Sequence, residues 1–129
     1  MTITQESLNR LQESSLAQEV QFLAARARSL GSGRANHLLS DVGLKVRSYS
    51  VLSLACSGMN PTQRELGEFL LLDPSQIVSL IDELEKRGLV QREVDPQDRR
   101  SKIITATTLG QELYERAYEI VMSAEEDSL

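Results

Sequence analysis

The stretch Asp73-Pro74-Ser75-Gln76-Ile77-Val78-Ser79-Leu80-Ile81-Asp82-Glu83-Leu84-Glu85-Lys86-Arg87-Gly88 decides the fold. Asp73 is a good helix N-cap, because its carboxylate can accept from an otherwise unpaired amide of the first turn. Pro74 falls at the first helical position, where a missing N–H costs nothing. Gly88 suits the left-handed turn that ends a helix, and Lys86 and Arg87 suit the negative end of its dipole. Ile77, Leu80, Ile81 and Leu84 recur at spacings of three and four and predict one buried stripe. Ser75, Gln76, Ser79 and Glu83 fall off that stripe. The helix therefore presents small and amide side chains on its open face near the N-terminus.

Upstream, Thr62-Gln63-Arg64-Glu65 has the pattern of a capping box. It opens a helix of about two turns with Leu66, Phe69 and Leu70 inward. Leu71 and Leu72 lead straight into Asp73, so a tight turn joins two capped helices in a helix-turn-helix. After Gly88 the period becomes extended in Leu89-Val90-Gln91-Arg92-Glu93-Val94. The polar turn Asp95-Pro96-Gln97-Asp98-Arg99-Arg100 follows, and then Ser101-Lys102-Ile103-Ile104-Thr105-Ala106. Two short strands about a charged turn predict a hairpin, and a hairpin directly after a helix-turn-helix is a wing.

The run Glu83 to Arg92 followed by Asp95 to Arg100 resembles the multiple-antibiotic-resistance regulator (MarR) family of bacterial transcription factors. Gly43-Leu44, Val51-Leu52, Thr107 and Gly110 also fall where that family places helix boundaries, and the resemblance covers roughly residues 15 to 124. It implies a mainly α winged helix-turn-helix with a small β-hairpin wing, dimerising through its N- and C-terminal helices. On this reading residues 1–129 form a single MarR-like domain. Residues 16–42 and 107–126 would be dimerisation helices and residues 47–106 the DNA-binding lobe.

Length and composition agree with one domain: 129 residues suffice for one core but not two. Aromatic content of 4% without Trp requires an aliphatic core. A single cysteine, Cys56, excludes an intrachain disulfide and points to a reducing compartment. No apolar run is long enough for a bilayer and no basic-then-apolar leader opens the chain, so a soluble, cytoplasmic protein is expected. The formal net charge of -5 argues against a nucleic-acid binder if taken alone. The cations Lys86, Arg87, Arg92, Arg99, Arg100 and Lys102 nevertheless cluster at the helix end and along the hairpin, a distribution compatible with DNA.

Leu16, Val20, Leu23, Ala27 and Leu30 follow helical spacing before Gly31-Ser32-Gly33, where a kink or helix end is expected. Arg34 to Val42 is helical again, with Leu38, Leu39 and Val42 inward, and closes at Gly43. Arg47 to Cys56 forms the next helix, with Val51, Leu52 and Ala55 inward. Met59-Asn60-Pro61 is the connector, which in the family can supply a minimal third strand. After the wing, Thr107 caps a last helix whose stripe runs through Leu109, Leu113, Ala117, Ile120 and Ala124. That stripe and the Leu16–Leu30 stripe together leave apolar surface, which a homodimer would cover. The family usually adds a further C-terminal helix; here the chain stops at Leu129, so a smaller dimer or an incomplete chain is expected.

If the helix of residues 74–86 enters a major groove, Ser75, Gln76, Val78 and Ser79 would read bases, Gln76 by two-way pairing with adenine. They are otherwise ordinary surface residues. Ser79 and Glu83 stand where the family often has a basic residue, so fewer phosphate contacts are expected there. Gln63 and Arg64 would hold a phosphate at a helix N-terminus. By resemblance, Arg100 enters the minor groove and Asp98 holds it by a salt bridge, with Arg99 beside it at the tip. Arg92 and Lys102 read as phosphate contacts. The alternative for such a hairpin tip is simple solvation.

Cys56 lies beside apolar residues and reads as a buried, inert thiol. His37 has no cluster at metal-ligand spacing, and neither a metal nor a cofactor is expected. No nucleophile–base pair or phosphate loop points to an enzyme. The resemblance further implies a small aromatic or anionic effector between the dimer helices and the DNA-binding lobe, with His37, Arg47 and Tyr49 as pocket or structural residues. The expected function is that of a homodimeric regulator of transcription, most often a repressor in this family, binding double-stranded DNA. The competing reading is a winged-helix protein-interaction or dimerisation module that its acidic charge keeps off DNA. A DNA-binding fragment of a larger regulator is the weaker third reading.

Overall fold

The computed structural model describes residues 32–127. Helix α1 spans Ser32–Leu39 and runs into a 3-10 turn at Ser40–Val42. It is followed by α2, Val46–Ala55; α3, Gln63–Leu70; and α4, Pro74–Lys86. The hairpin strands are β1, Val90–Asp95, and β2, Asp98–Ala106, and α5, Thr108–Asp127, comes last. The Leu16–Leu30 stripe and Gly31 lie outside the described residues, as does the side chain of Ala124. Gly33 stands within α1, and Gly43 closes the 3-10 turn with φ +70°.

Helix α2 is the centre of the packing. Every residue from Ser48 to Ala55 is buried, so the helix is enclosed on all sides rather than on the single face its apolar spacing suggests. Its serines allow this, being small enough to pack between neighbours. Ser50 Oγ also donates to the Val46 carbonyl at 2.9 Å, which satisfies its polar group locally. Around α2 lie Leu39, Leu66, Ile81, Leu84 and Ile104, each almost wholly buried. A buried leucine or isoleucine of this kind stabilises by roughly 1.5–3 kcal/mol, so the core rests on aliphatic burial.

The first helix of the helix-turn-helix is capped as its sequence indicates. Thr62 Oγ1 accepts from Glu65 N–H at 3.0 Å while Glu65 accepts from Thr62 N–H at 2.9 Å, a full capping box for α3. Leu71 ends α3 in the left-handed region at φ +57°, and its side chain is 90% exposed. Ile77, Ile81 and Leu84 of α4 are buried and Leu80 is half-buried.

The hairpin is longer and its turn tighter than the polar stretch suggests. Strand β2 begins at Asp98, which pairs with Asp95, leaving only Pro96 and Gln97 at the tip. The Asp95 carboxylate accepts from Gln97 N–H at 2.9 Å and so closes the turn locally. The connector adds a single bridge, Thr62 to Ile103, and Ile104 N–H donates to the Pro61 carbonyl at 2.8 Å. This fastens the start of α3 to the wing.

Two further ties fix α4 in place. Arg87, at the helix C-cap, donates to the Gly43 carbonyl at 2.7 Å and to the Val42 carbonyl at 3.4 Å. Its guanidinium thus satisfies carbonyls that end the preceding helical segment, in addition to any effect on its own helix dipole. At the other side of Gly88 (φ +76°), Thr107 Oγ1 donates to the Gly88 carbonyl at 2.6 Å and accepts from Gly110 N–H at 3.0 Å. The stripe of α5 is partly shifted from expectation. Ala117 and Val121 are buried and Leu113 and Ile120 half-buried, but Leu109 is 54% exposed because it precedes the point of contact at Gly110.

Gly110 packs directly on the backbone after α4: a Cβ there would lie 2.0 Å from the Leu89 carbonyl oxygen. Backbone cannot yield as a side chain can. Gly110→Ala should therefore lower the unfolding free energy by about 2–3 kcal/mol, measured by urea denaturation. An unchanged midpoint would show that α5 does not pack this closely.

Candidate nucleic-acid interface

The N-terminus of α3 and the wing face each other across an open cleft of about 440 Å³ lined by Thr62, Gln63, Arg64, Asp98, Arg100, Ser101 and Lys102. Arg64, Arg100 and Lys102 are exposed cations on its walls, and α3 brings the positive end of a helix dipole to the same place. Five of the residues that line it, Gln63, Arg64, Asp98, Arg100 and Lys102, were expected from sequence to meet DNA. The fold brings them together although more than thirty positions separate the two groups. On α4, Ser75, Gln76 and Ser79 are exposed along the N-terminal half of the helix.

At the wing tip, Asp98 is the organising carboxylate. Its Oδ1 accepts from the Arg100 backbone N–H at 3.1 Å and from Arg100 Nε at 3.2 Å. Ser101 Oγ reaches the other oxygen at 3.5 Å. These contacts, the backbone donor first, hold the Asp98 carboxyl below its ordinary value. The Arg100 side chain remains 81% exposed, so its guanidinium is oriented at one edge and open at the others. Arg99 is exposed beside it.

Arg92 is placed differently from expectation. Its side chain is only 19% exposed and its guanidinium is held by groups on α3 and α4. It donates to Asp82 at 2.5 Å, to Glu85 at 2.8 Å, to Gln63 Oε1 at 3.3 Å and to the Val78 carbonyl at 3.4 Å. With four of its five N–H donors engaged, Arg92 braces the wing against the helix-turn-helix and is not a free phosphate contact. The sequence held a signal for this, since Asp82 and Glu85 are three apart on one face of α4. Val78 lies on that same wing-side row and is half-buried. Its backbone carbonyl is one of the groups that accept from Arg92. The bond from Arg92 Nε orients the Gln63 amide.

Gln76 also carries a role not expected of it. Its Oε1 accepts from the Asp73 backbone N–H at 3.0 Å, forming with Asp73 a capping box over α4. That oxygen keeps a second lone pair, so the cap and the expected pairing with adenine are compatible. The pattern Asp73-x-x-Gln76 is the cue, matching Thr62-x-x-Glu65 one helix earlier.

A second groove, of about 750 Å³, runs from the end of α1 past the start of α2 to α4. Its walls include Asn36, Lys45, Arg47, Leu80 and Glu83. Asn36 Oδ1 accepts from Val46 N–H at 2.9 Å and so caps α2 across the junction. Of the three expected pocket residues only Arg47 lines this groove. Tyr49 is 2% exposed and packs on Tyr114 with ring centroids 5.7 Å apart, which makes it a core residue. His37 is exposed outside the lining, and its carbonyl accepts from Ser40 Oγ at 2.6 Å.

Cys56 is half-buried, and burial together with the charge of Glu115 pushes its thiol up to about 12. A thiol held neutral is a poor nucleophile, in line with the inert reading. No group of three or more His, Cys, Asp or Glu suited to a metal occurs among the described residues. None of the described helices is long and apolar enough to cross a membrane.

A helix-turn-helix followed by a hairpin whose tip carries oriented arginine is the architecture of a winged-helix protein. Comparison with known proteins makes the class specific. The MarR family model matches residues 42–101. A MarR-family transcriptional regulator from Rhodococcus sp. RHA1 is 44% identical, with a TM-score of 0.72 covering 88% of this chain and 81% of that one. CouR from Rhodococcus jostii RHA1, in a structure bound to p-coumaroyl-CoA, is 47% identical with a TM-score of 0.69 over 85% of this chain and 78% of that one. A CouR transcriptional repressor bound to a 23-mer DNA duplex is 31% identical, with a TM-score of 0.72 over 81% and 74% of the two chains. The chain belongs to the MarR family. It spans about half the length of the curated relatives it matches, which are described as transcriptional regulators.

Two outcomes follow from this geometry. The Asp98 carboxyl should titrate below 3.8, followed by NMR of its side-chain carbon, and Arg100→Ala should return it only partway because the backbone donor persists. A lowered folded-state value means that the stabilisation is present above the ordinary value and lost as pH falls through the lowered one. A midpoint at or above 3.8 would show that the contacts do not form in solution. For the brace, Arg92→Ala should cost about 1–2 kcal/mol of stability in urea denaturation, against under about 0.5 kcal/mol for Arg99→Ala at the exposed tip. Equal effects would remove the distinction between brace and surface.

Proposed function

We propose that this chain is a homodimeric, sequence-specific DNA-binding repressor of transcription, released from DNA by a small aromatic or anionic effector and acting in the cytoplasm. The observation that carries the reading is the cleft shared by the α3 N-terminus and the wing tip. It brings Arg64, Arg100 and Lys102 together at the start of α3, the first helix of the helix-turn-helix. Phosphate contacts from the cleft would set the register, and side chains of α4 would read base edges in the major groove. Arg100, steered by Asp98, would enter the adjoining minor groove, where a narrow groove concentrates negative potential. Two such units related by a twofold axis would meet half-sites about one helical turn apart. A DNA-bound relative of 31% identity supports the partner.

The groove beside Arg47 and Lys45 is the proposed effector site. It lies between the junction at Gly43 and the α4 residues Leu80 and Glu83, so a bound anion there touches both lobes. The p-coumaroyl-CoA complex of a relative of 47% identity supports an aromatic acyl thioester as the effector class. Such a ligand shifts DNA affinity only through its preference for one spacing of the two α4 helices.

The test is binding of the full chain to DNA flanking its own gene, against random DNA, across a salt series. Preferential binding that weakens with salt is expected, and Arg100→Ala should weaken it on all sequences and lower the salt slope by about one. Absence of any preference at low salt would overturn the reading in favour of a protein-interaction module.

A further inference from the structure

The groove between α2 and α4 takes in the N-terminus of α2, a helix of ten residues whose N-cap, Lys45, makes no side-chain cap hydrogen bond. A capping side chain must accept, and an ammonium only donates. Asn36 takes the Val46 N–H, but the next two, of Arg47 and Ser48, have no acceptor among the described residues. Both belong to the first helical turn, whose amides are left without intrahelical partners. Ser48 lines the same groove and is only 6% exposed, and its hydroxyl has no hydrogen-bond partner among the described residues. Lys45 and Arg47 are exposed, and neither enters an ion pair among the described residues. The first turn carries no acidic residue. Two cations thus stand at the positive end of a helix dipole, the end that favours anions.

We infer that the N-terminus of α2 is a phosphate subsite, held by the Arg47 and Ser48 amides, the Ser48 hydroxyl and the side chains of Lys45 and Arg47. This deepens the effector reading of the groove and rests on it for its part in regulation. First-turn amides with a favourable dipole bind anions, and the buried hydroxyl adds a short-range donor that solvent does not satisfy. Three N–H or O–H donors and two cations suit the three terminal oxygens and nearly double charge of a phosphate. A carboxylate has two oxygens and a single charge. Glu83, on the α4 wall, repels an anion, and Leu44 and Leu80 also line the groove. The phosphate therefore belongs at the α2 end, with an apolar group of the same ligand along the leucines. Only that second part reaches α4.

The experiment titrates the full chain with phenyl phosphate and with benzoate at constant ionic strength, following backbone amides by NMR. Phenyl phosphate should shift the Arg47 and Ser48 amides saturably, and at lower concentration than benzoate. Ser48→Ala should weaken phenyl phosphate about tenfold, as for a hydrogen bond to a charged group. It should melt no lower than the native chain, because the hydroxyl has no bond to lose. Lys45→Gln should weaken phenyl phosphate more than benzoate. Benzoate binding as tightly as phenyl phosphate overturns the phosphate assignment. Shifts confined to Arg64, Arg100 and Lys102 at the wing cleft, with Arg47 and Ser48 unmoved, overturn the subsite. It is equally overturned if phenyl phosphate moves neither amide while Ser48→Ala weakens DNA binding, since the donors then serve a DNA phosphate. The effector reading is tested separately, by release of the chain with p-coumaroyl-CoA from a duplex selected with the full chain from a randomised library. If phenyl phosphate binds as stated but p-coumaroyl-CoA leaves DNA affinity unchanged, the subsite stands and the effector reading falls.

Discussion

The arrangement depends most on the guanidinium of Arg92, which lies on β1 but is satisfied by groups from two helices. An isolated two-stranded hairpin is marginal in water. Here the hairpin is tied by Arg92 to Asp82, Glu85 and the Val78 carbonyl of α4, and to Gln63 of α3. The bridge from Thr62 to Ile103 adds a backbone tie on the same side. Wing and helix-turn-helix thereby become one body, and a shift of α4 carries the wing tip with it. Exposed ion pairs usually contribute little. A mostly buried guanidinium shared among several acceptors is a different case, because its removal breaks several contacts at once.

The same brace resolves the charge question. An acidic chain with a recognition helix poor in cations looks ill-suited to DNA. The acids on the wing side of α4, Asp82 and Glu85, are however both paired with Arg92, which offsets one of their two charges, while Arg64, Arg100 and Lys102 are left exposed around a cleft. Charge is thus sorted by position: cations spent internally at Arg87 and Arg92, cations presented at the cleft and wing tip. Arg87 makes the second internal tie, from the end of α4 to the carbonyls of Val42 and Gly43. In the proposed mechanism that contact and the neighbouring groove form the route by which an effector at Arg47 would reposition α4.

Much of the fold was legible because its signals are local. Capping residues, the Gly88 break and the change of hydrophobic period mark every element from Thr62 to Thr107 without tertiary information. The wing tip was legible by resemblance, and the Asp98–Arg100 contact needs only two positions on one strand. What escaped were roles assigned by partners far along the chain. Arg92 looks like any wing cation until Asp82, Glu85 and Gln63 are placed around it. Tyr49 reads as a pocket residue near a junction, whereas α2 is enclosed on all sides. Gln76 was legible in principle, since Asp73-x-x-Gln76 is a capping pattern, but its polarity on an exposed face drew the reading toward bases alone.

In the proposed complex the α3 N-terminus, the open half of α4 and the wing meet DNA as one fixed unit. Chemical footprinting of the full chain on its selected duplex tests it most directly, with dimethyl sulfate reporting the major groove and hydroxyl radicals the minor groove. Each half-site should show a protected major-groove segment with protection of the minor groove alongside it at a constant offset, both appearing over the same range of protein concentration. Major-groove protection with an unprotected minor groove, or protection of the two at separate concentrations, would contradict it.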